Sequence, residues 1–396
     1  MPWKESSVMT ERVSLINDFL SGEFSISDLA MIYGVSRKTV YKWIERHREA
    51  GWDGLKDVSR APHHHPNAVG REIEAELLRW KAAKPTWGAP KLREKLLAHF
   101  GAERCPAEST LSAILKRHGL SRKPRRALRA TPSEQPLAHC QANNQVWSAD
   151  FKGWFRMGNG QKCTPLTVSD AHSRYLLCCQ GLIFHTGFVT VQPLFIATFR
   201  EFGLPLAIRS DNGAPFASCG LGGLTPLSVW WVRLGIELER IEPGQPQQNG
   251  RHERMHRTLH EATAQEPGKN LRAQQEKFDR FRAEYNDERP HEALGQKPPA
   301  QVYEPSAHEY PERLPDQRGY PDDWEKRMVR KSGQIKWKGR DVRITEALWG
   351  QEIGLKPIGE QLWAVYFEGL HLGEFDERKG RIIRCPRLRK DEPKER

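Results

Sequence analysis

The sequence predicts a multidomain α+β protein with helical domains at the N-terminus, a central α/β core on a mixed sheet, and a small C-terminal β-barrel. Three observations support this fold class. The chain has 396 residues, too many for one ordinary hydrophobic core. Apolar residues recur at helical spacing over roughly the first 120 positions and then change to strand-like alternation. Short strand-like segments separated by glycines and charges follow near the C-terminus, and a barrel is the natural closure for such strands.

Residues 1–58 predict two short helices joined by a turn, after a first amphipathic helix. Ser27 is expected to cap the first of the pair, Gly34 to allow the turn, and Ser36 to cap the second. The predicted buried side contains Ala30, Val35, Val40 and Ile44. The predicted open face is mostly basic and contains Arg37, Lys38, Thr39 and Lys42. The pattern resembles the helix-turn-helix that enters a DNA major groove; a hairpin used only for packing is the alternative.

A second helical domain is predicted at 71–122, beyond a linker with three histidines at 63–65. No cysteine or carboxylate lies near the histidines, so a solvated linker is preferred to a metal site. The helices fit a second helix-turn-helix, and a plain helical spacer is the alternative. A basic tether follows and is expected to track phosphates. Its predicted DNA contacts are Arg122, Lys123, Arg125, Arg126 and Arg129.

In the region 140–305 the spacing of apolar residues changes from helical to strand-like, which predicts a mixed sheet covered by helices. The predicted strands lie at 146–155, 163–169, 175–184, 206–210 and 236–241, and the predicted helices at 186–202, 227–234 and from about 249. Residues 325–385 predict the small barrel, and 386–396 form a basic tail.

Composition restricts the function classes. A net charge of +12 favours a polyanion such as nucleic acid as the partner. The seven cysteines include no Cys-x-x-Cys, which argues against a zinc ribbon, and their odd number argues against a disulfide framework. Reduced thiols fit a cytoplasm. No apolar run reaches the ~18 residues of a membrane helix, and the N-terminus does not resemble a secretion signal.

Asp150 is the first candidate for metal chemistry. Alternation places it on one face of its strand with Ser148 and Lys152, whereas Trp147, Ala149 and Phe151 point the other way. A carboxylate among such neighbours is costly unless a cation or another partner compensates it. Two divalent cations about 4 Å apart could activate a water and stabilise a leaving oxygen in phosphodiester cleavage. The alternative is an Asp on an exposed edge strand.

Asp211 and Glu253 are the other two candidates. Asp211 lies at the carboxyl end of a predicted strand, where ligand sites collect, although Asp-Asn-Gly is also a common turn. Glu253 lies in the first turns of a predicted helix, whose start favours a carboxylate. The alternative for Glu253 is a surface pair with Arg257, one turn on, which is itself a predicted DNA contact.

These three signals occur within an ordered set of motifs. The motifs are Trp-Ser-Ala-Asp at 147–150, Arg-Ser-Asp-Asn-Gly at 209–213, the Pro-, Gln- and Asn-Gly-rich segment 243–254, and the closing segments 285–294 and 298–303. Over about 140–305 the set resembles the integrase catalytic core of bacterial insertion-sequence transposases. The resemblance implies an RNase H-like DDE enzyme in which Asp150, Asp211 and Glu253 hold two Mg²⁺ or Mn²⁺ ions.

The same resemblance implies what the protein acts on. Such an enzyme cuts strands at the terminal repeats of a DNA element and joins 3′-hydroxyls to double-stranded target DNA. A homo-oligomer assembled on DNA and a bacterial cytoplasmic, nucleoid-associated location are also implied. Two other classes stay open: a DNA-binding regulator with an inactive core, and an RNase H-like nuclease that cleaves without joining.

One departure concerns the third acid. Asp211 and Glu253 are 42 positions apart, more than is usual in the family, and the excess is expected in a loop-like insertion at 218–226. Rival third acids at shorter range are Glu237, Glu239 and Glu242, which lack the Asn-Gly context. Asp170 is a fourth acid in the region, and a structural role in its own turn is preferred for it.

Overall fold

A computed structural model of the chain describes residues 7–58, 68–121, 137, 139–241 and 250–390, with side chains described up to residue 383. The chain divides at residue 70 into two compact units. Several predictions lie outside the described residues: the histidine linker at 63–65, the rival acid Glu242, and the tether contacts Arg122, Lys123, Arg125, Arg126 and Arg129.

The first unit is a small helical domain around one core. Its elements are α1 Val8–Ser21, α2 Ile26–Ile32, α3 Arg37–Ala50 and a 3₁₀ turn Gly51–Leu55. Val40 and Ile44 are buried as predicted, together with Leu29, Trp43 and Leu55, which the sequence did not single out. A short helix such as α2 cannot be stable alone, so this shared apolar cluster is what holds the three helices.

The caps of the helix pair agree with the prediction in one helix and differ in the other. Ser36 caps α3 and accepts a hydrogen bond from the backbone N–H of Thr39, and Gly34 has a φ of +61° in the turn. The predicted cap of α2 is wrong: Ser25 caps it, in a reciprocal pair with Asp28. The carboxylate of Asp28 accepts the backbone N–H of Ser25, a bond that Ser27 would not have completed.

The second unit begins with the predicted second helical domain. Its helices are α4 Arg71–Ala83, α5 Ala89–Phe100 and α6 Glu108–Arg117. Lys84 on this domain pairs with Glu284 at 2.8 Å and with Glu288 at 3.5 Å. Lys91 donates to the carbonyl oxygen of Pro290. The helical domain therefore makes direct polar contacts with the segment 284–290 that follows α10.

The core of the second unit is a mixed sheet with helices on both faces. Its elements are β1 Val146–Phe151, β2 Phe155–Arg156, β3 Lys162–Asp170, β4 Leu176–Leu182, α7 Phe188–Phe202, β5 Ala207–Ser210, α8 Pro226–Arg233, β6 Glu237–Arg240, α9 Gly250–Thr263 and α10 Leu271–Ala283. The strand order is β4-β3-β1-β5-β6, and β2 extends along β3. Strands β1, β5 and β6 are parallel, and β3 is antiparallel to both of its long neighbours. The order of elements agrees with the prediction, with two exceptions. Helix α10 was not predicted, and the single strand predicted at 146–155 ends at Phe151, after which Phe155 belongs to the separate strand β2.

The two faces of the sheet carry separate cores. One face packs Trp147 and Ala149 against α7 and α8. The other packs Met255 and Leu259 of α9 against α10 and the far strands. The alternation predicted for β1 is thus confirmed: Trp147 and Ala149 are on the α7 side, which leaves Asp150 on the side of α9.

The C-terminal region is not the closed barrel that the sequence predicted. Its strands are β7 Glu325–Met328, β8 Gln334–Trp337, β9 Arg340–Arg343, β10 Glu352–Gly359, β11 Leu362–Phe367, β12 Leu370–Asp376 and β13 Arg381–Lys390. Within the described residues they form an open five-stranded sheet, β13-β12-β11-β10-β7, and a separate hairpin of β8 and β9. The hairpin packs Ile335 and Trp337 onto this sheet, so burial is achieved by covering the sheet rather than by closing it. The basic segment at 381–390 is a strand paired with β12.

The insertion at 218–226 is not a free loop. Its Leu221–Gly223 segment is a short 3₁₀ turn, and Leu221 and Leu224 are buried in the same apolar cluster as the C-terminal strands. The extra residues therefore dock the C-terminal sheet onto the core. In the described part of the chain no helix has the length and apolar character needed to cross a membrane, and the six cysteines described there are free.

Candidate active site

Asp150 and Asp211 come from neighbouring parallel strands. The parallel register between β1 and β5 pairs Ala149 with Ser210. The residue that follows each of them is an aspartate, Asp150 in β1 and Asp211 after β5. Both carboxylates are therefore presented at the same end of the sheet, and both residues are half-buried. Their proximity follows from the parallel pairing, which could not be read from two isolated segments.

The Asp211 carboxylate belongs to a tight turn. Its Oδ1 accepts the backbone N–H of Gly213 at 3.2 Å. The side chain of Asn212 donates to the carbonyl oxygen of Ile241 at 2.8 Å, which ties the end of β5 to the end of β6. The turn interpretation of Asp-Asn-Gly is thus correct, and it coexists with a location beside Asp150.

Glu253 lies in the first turn of α9 and is exposed. The helix crosses the sheet over β1 and β3, because His260 contacts Lys152 at 3.0 Å and His256 contacts Thr167 at 2.7 Å. Glu253 lies two turns before His260 on the same stripe of the helix. That stripe faces β1, whereas Met255 faces α10. Glu253 therefore lies on the flank of α9 that borders the strand of Asp150.

Two histidines of α9, which the sequence did not single out, surround Asp150. Asp150, His252 and His256 each offer a ligand atom, and these atoms lie within 4.8 Å of one another. Among the described residues this is the one cluster of that kind, and it includes neither Asp211 nor Glu253. The two histidines are four positions apart on one side of α9, and this helical spacing could have indicated that both face the sheet.

Both histidines are held by one hydroxyl. The Oγ1 of Thr167 lies 2.7 Å from Nε2 of His252 and 2.7 Å from Nε2 of His256, and it donates to the carbonyl oxygen of Asp150. Because the single hydroxyl proton goes to that carbonyl, each imidazole must donate to Thr167 through its Nε2. The other ring nitrogen of His252 lies 3.3 Å from Oγ of Ser169. Burial lowers the pKa of both rings, that of His256 to about 4, so both are neutral.

The hydrogen bonds decide what the histidines can do. Both ring nitrogens of His252 are engaged, which leaves that ring no lone pair for a metal without loss of a bond. The carboxylate oxygens of Asp150 and Asp211 are the hard donors that Mg²⁺ and Mn²⁺ prefer. The carboxylate donors at this end of the sheet therefore fit such ions, and His252 supports the strand and the helix that carry the acids.

The other acids of the region have structural partners. Glu239 pairs with the buried Arg209 at 2.8 Å and with His139 at 2.8 Å. Asp170 is buried, and its carboxylate accepts the backbone N–H of Asn144 at 2.8 Å and that of Ser173 at 2.7 Å. The turn role expected for Asp170 is confirmed by these bonds.

The predicted DNA-binding side chains in the first unit lie on one helix. Arg37, Lys38 and Lys42 of α3 are exposed, whereas Thr39 is half-buried and bonds the hydroxyl of Ser36 at 2.9 Å. Arg257 in the second unit is exposed on α9 and lines a large cavity.

Family models match three parts of the chain. A model described as an integrase core domain matches residues 234–299, which include Glu253. Models described as a homeodomain-like domain and a helix-turn-helix domain match residues 39–115 and 11–63. The helical domains at the N-terminus and the integrase-like core are thereby supported independently of the geometry.

Two insertion-element proteins are similar in sequence. The 39.2 kDa protein of insertion element IS476 from Xanthomonas euvesicatoria is 32% identical over 185 residues, 46% of this chain and 50% of that protein. The 31.7 kDa protein of insertion element IS407 from Burkholderia multivorans (strain ATCC 17616 / 249) is 28% identical over 193 residues, 48% of this chain and 66% of that protein. The matched stretch thus spans half of one relative and less than two thirds of the other.

Solved structures are similar at a lower level. The HTLV-2 integrase catalytic core domain, in complex with magnesium, is 16% identical with a TM-score of 0.32, covering 41% of this chain and 98% of that one. The Mos1 strand transfer complex is 14% identical with a TM-score of 0.32, covering 72% of this chain and 92% of that one.

Proposed function

We propose that this chain is a DNA transposase of the integrase-core type, because an integrase core model matches residues 234–299 and two insertion-element proteins are similar to it in sequence. It cleaves strands at the ends of a DNA element and joins the resulting 3′-hydroxyls to target DNA. Asp150, Asp211 and Glu253 are the catalytic acids. The observation that carries the proposal is the β1–β5 register, which brings Asp150 beside Asp211 under the helix that carries Glu253.

The acids and the metal divide the chemistry. Mg²⁺ or Mn²⁺ ions, when bound, polarise the phosphate and lower the pKa of an attacking water or hydroxyl. Asp150 and Asp211 supply fixed carboxylate oxygens from two hydrogen-bonded strands, so little reorganisation is needed to receive a cation. Glu253 supplies the third carboxylate from the first turn of α9, where the exposed side chain can turn toward the strands. Two ions are proposed, because one oxygen enters and one leaves the phosphorus.

The remaining parts position DNA. The exposed Arg37, Lys38 and Lys42 of α3 are the proposed readers of the terminal repeats. The basic segment at 122–129 and the C-terminal strands add phosphate contacts. A joining reaction needs two element ends and a target, so the proposed active form is a homo-oligomer assembled on double-stranded DNA, in the bacterial cytoplasm near the nucleoid.

The test is a joining assay with labelled DNA taken from the flanks of the coding region, in the presence of Mg²⁺. Asp150→Asn, Asp211→Asn and Glu253→Gln are each expected to lower nicking and joining at least ~100-fold. Glu276→Gln, an exposed glutamate on α10, is the matched control and should keep wild-type rates. Near-normal joining by Asp150→Asn or Asp211→Asn would overturn the proposal.

A further pair of variants tests the third acid. Glu239→Gln should retain turnover per folded protein, because its carboxylate is already paired with Arg209. If instead Glu253→Gln is active and Glu239→Gln is inactive, the third catalytic acid is Glu239 on β6. A protein that nicks but never joins would be a nuclease, and one that binds specific DNA without nicking would be a regulator.

A further inference from the structure

A large cationic cavity lies along α9, the helix that carries Glu253. Its volume is about 770 Å³. It lies between α9, the turn after β3, the segment that follows α10, and α5 of the second helical domain. The cationic residues that line it are Lys91, Arg174, Arg251, Arg254, Arg257 and Arg289.

The cations of this cavity form no direct ion pair with the acids that the structure describes. Arg174 donates to the carbonyl oxygen of Ala171 at 2.6 Å, Arg251 donates to the same oxygen at 3.3 Å, and Lys91 donates to that of Pro290. Backbone carbonyls satisfy some N–H groups but do not neutralise charge, so the cavity remains strongly positive.

Acids do approach its border. Glu292 is the acidic side chain among the described lining residues, and it lies near Lys91. Glu284 and Glu261 lie near Arg289, but Glu284 is paired with Lys84 at 2.8 Å. Three acids, one of which is already paired with Lys84, do not balance the six cations that line the cavity.

Burial makes this arrangement costly in the absence of an anion. Burial, together with the charge of Arg289, lowers the pKa of Lys91 to about 8. Burial, together with the charge of Arg251, lowers the pKa of Arg174 to about 10. Cations crowded into a half-buried space are retained where an anion neutralises them in the working state.

We propose that this cavity binds backbone phosphates of the DNA strand that is held at the acidic site. The inference rests on the proposed function. Planar guanidinium groups match phosphate oxygens in pairs. DNA carries one charge per about 1.7 Å of helix axis, so six cations in one cavity match more than a single phosphate. Arg257 lies one turn after Glu253 on the same helix, so a strand that enters the cavity passes close to the third acid.

Lys91 extends the cavity to a second domain. It belongs to α5, so a strand in the cavity touches the second helical domain and α9 together. The site therefore couples the presence of DNA to the relative placement of two regions that are already tied through Lys84 and Glu288.

The first experiment uses the wild-type full chain in EDTA, so that no catalysis occurs. Phenylglyoxal modifies accessible guanidinium groups, and mass spectrometry measures the rate at each arginine. A duplex containing the element end is expected to slow modification of Arg251, Arg254 and Arg257 at least fivefold. Arg272 on α10, whose side chain is 91% exposed, should be unaffected. Inorganic phosphate at the same phosphate concentration should protect much less.

The second experiment measures DNA affinity against salt, again in EDTA. The double variant Arg251→Gln/Arg254→Gln should make the dependence of log affinity on log salt shallower by about one for each phosphate that is no longer neutralised. Arg251→Lys/Arg254→Lys keeps the charge and should keep most of the slope, and Arg272→Gln should keep all of it. Circular dichroism and thermal midpoints verify that each variant is folded.

The outcomes separate this proposal from the enzymatic one. If the enzyme joins DNA but DNA does not protect these arginines from phenylglyoxal, the proposal of a phosphate-binding cavity is wrong and the transposase function stands. Equal protection by inorganic phosphate and DNA shows a small-anion site and overturns the strand assignment. Protection by DNA in a chain that never cleaves supports the cavity while the transposase function fails.

Discussion

The role of Asp170 gives the sharpest test of the fold around the acids. Its carboxylate is 1% exposed and accepts three hydrogen bonds: the backbone N–H of Asn144 at 2.8 Å, the backbone N–H of Ser173 at 2.7 Å and the hydroxyl of Ser173 at 2.6 Å. In Asp170→Asn one acceptor becomes an NH₂ donor. The new NH₂ group therefore faces at least one hydrogen-bond donor, so that bond is lost. The bonds that remain are weaker because the acceptor no longer carries a negative charge.

The cost can be worked from these bonds. Loss of one charge-assisted hydrogen bond costs ~2 kcal/mol, and the weakening of the other two adds ~1 kcal/mol each, so the variant should lose ~4 kcal/mol. That corresponds to a roughly 10³-fold rise in hydrogen exchange at the amides of Asn144 and Ser173. Ser173→Ala removes one hydroxyl and should cost ~1 kcal/mol.

The assay is hydrogen exchange followed by mass spectrometry on peptides that cover 142–151 and 170–176, with and without Mg²⁺. Asp323→Asn, at an exposed position, is the matched control. If Asp170→Asn keeps wild-type exchange in both peptides yet weakens Mg²⁺ binding, Asp170 is a metal ligand and the reasoning from its hydrogen bonds is refuted.

Three further predictions concern other parts of the second unit. Wild-type stability should rise with pH between about 8 and 10.5, because the unfolded chain still holds the proton that folded Lys91 has released; Lys91→Met should lose this rise in urea midpoints compared at pH 8 and 10. Leu224→Ala should cost ~2–3 kcal/mol in docking of the C-terminal sheet and speed its release by limited proteolysis, whereas Leu206→Ala, at a side chain 51% exposed, should not. Thr167→Val leaves the ring of His252 without its hydroxyl partner and should cost ~1–3 kcal/mol; the thermal midpoint should recover in Thr167→Ser, and an unchanged midpoint in Thr167→Val would contradict the shared hydroxyl.

Local chemistry was enough to predict much of the fold. Ser36 and Gly34 were assigned correctly because a cap and a positive φ depend on neighbouring residues. The side of β1 that carries Asp150 follows from strict alternation along a strand. The same local reasoning missed the cap at Ser25, because two serines two positions apart offer the same hydroxyl and only the completed pair with Asp28 separates them.

The prediction of a closed C-terminal barrel was wrong for a different reason. Strand patterns in 325–385 show which residues alternate, but closure depends on whether the first and last strands meet. Here β7 pairs with β10 and β13 with β12, and the hairpin of β8 and β9 covers the sheet. The burial of Leu224 under these strands also links segments more than a hundred positions apart, which no local pattern reveals.

The sequence by itself indicated the candidate acids and determined the strands and the helix that carry them, together with a net positive charge that favours a polyanion. Only the tertiary structure decided that Thr167 holds the rings of His252 and His256 under Asp150, and that Lys91 meets the arginines of α9 in one cavity. The physical reason is that caps and alternation are settled by neighbours along the chain. Shared hydroxyls and crowded charges exist only once distant segments have packed together.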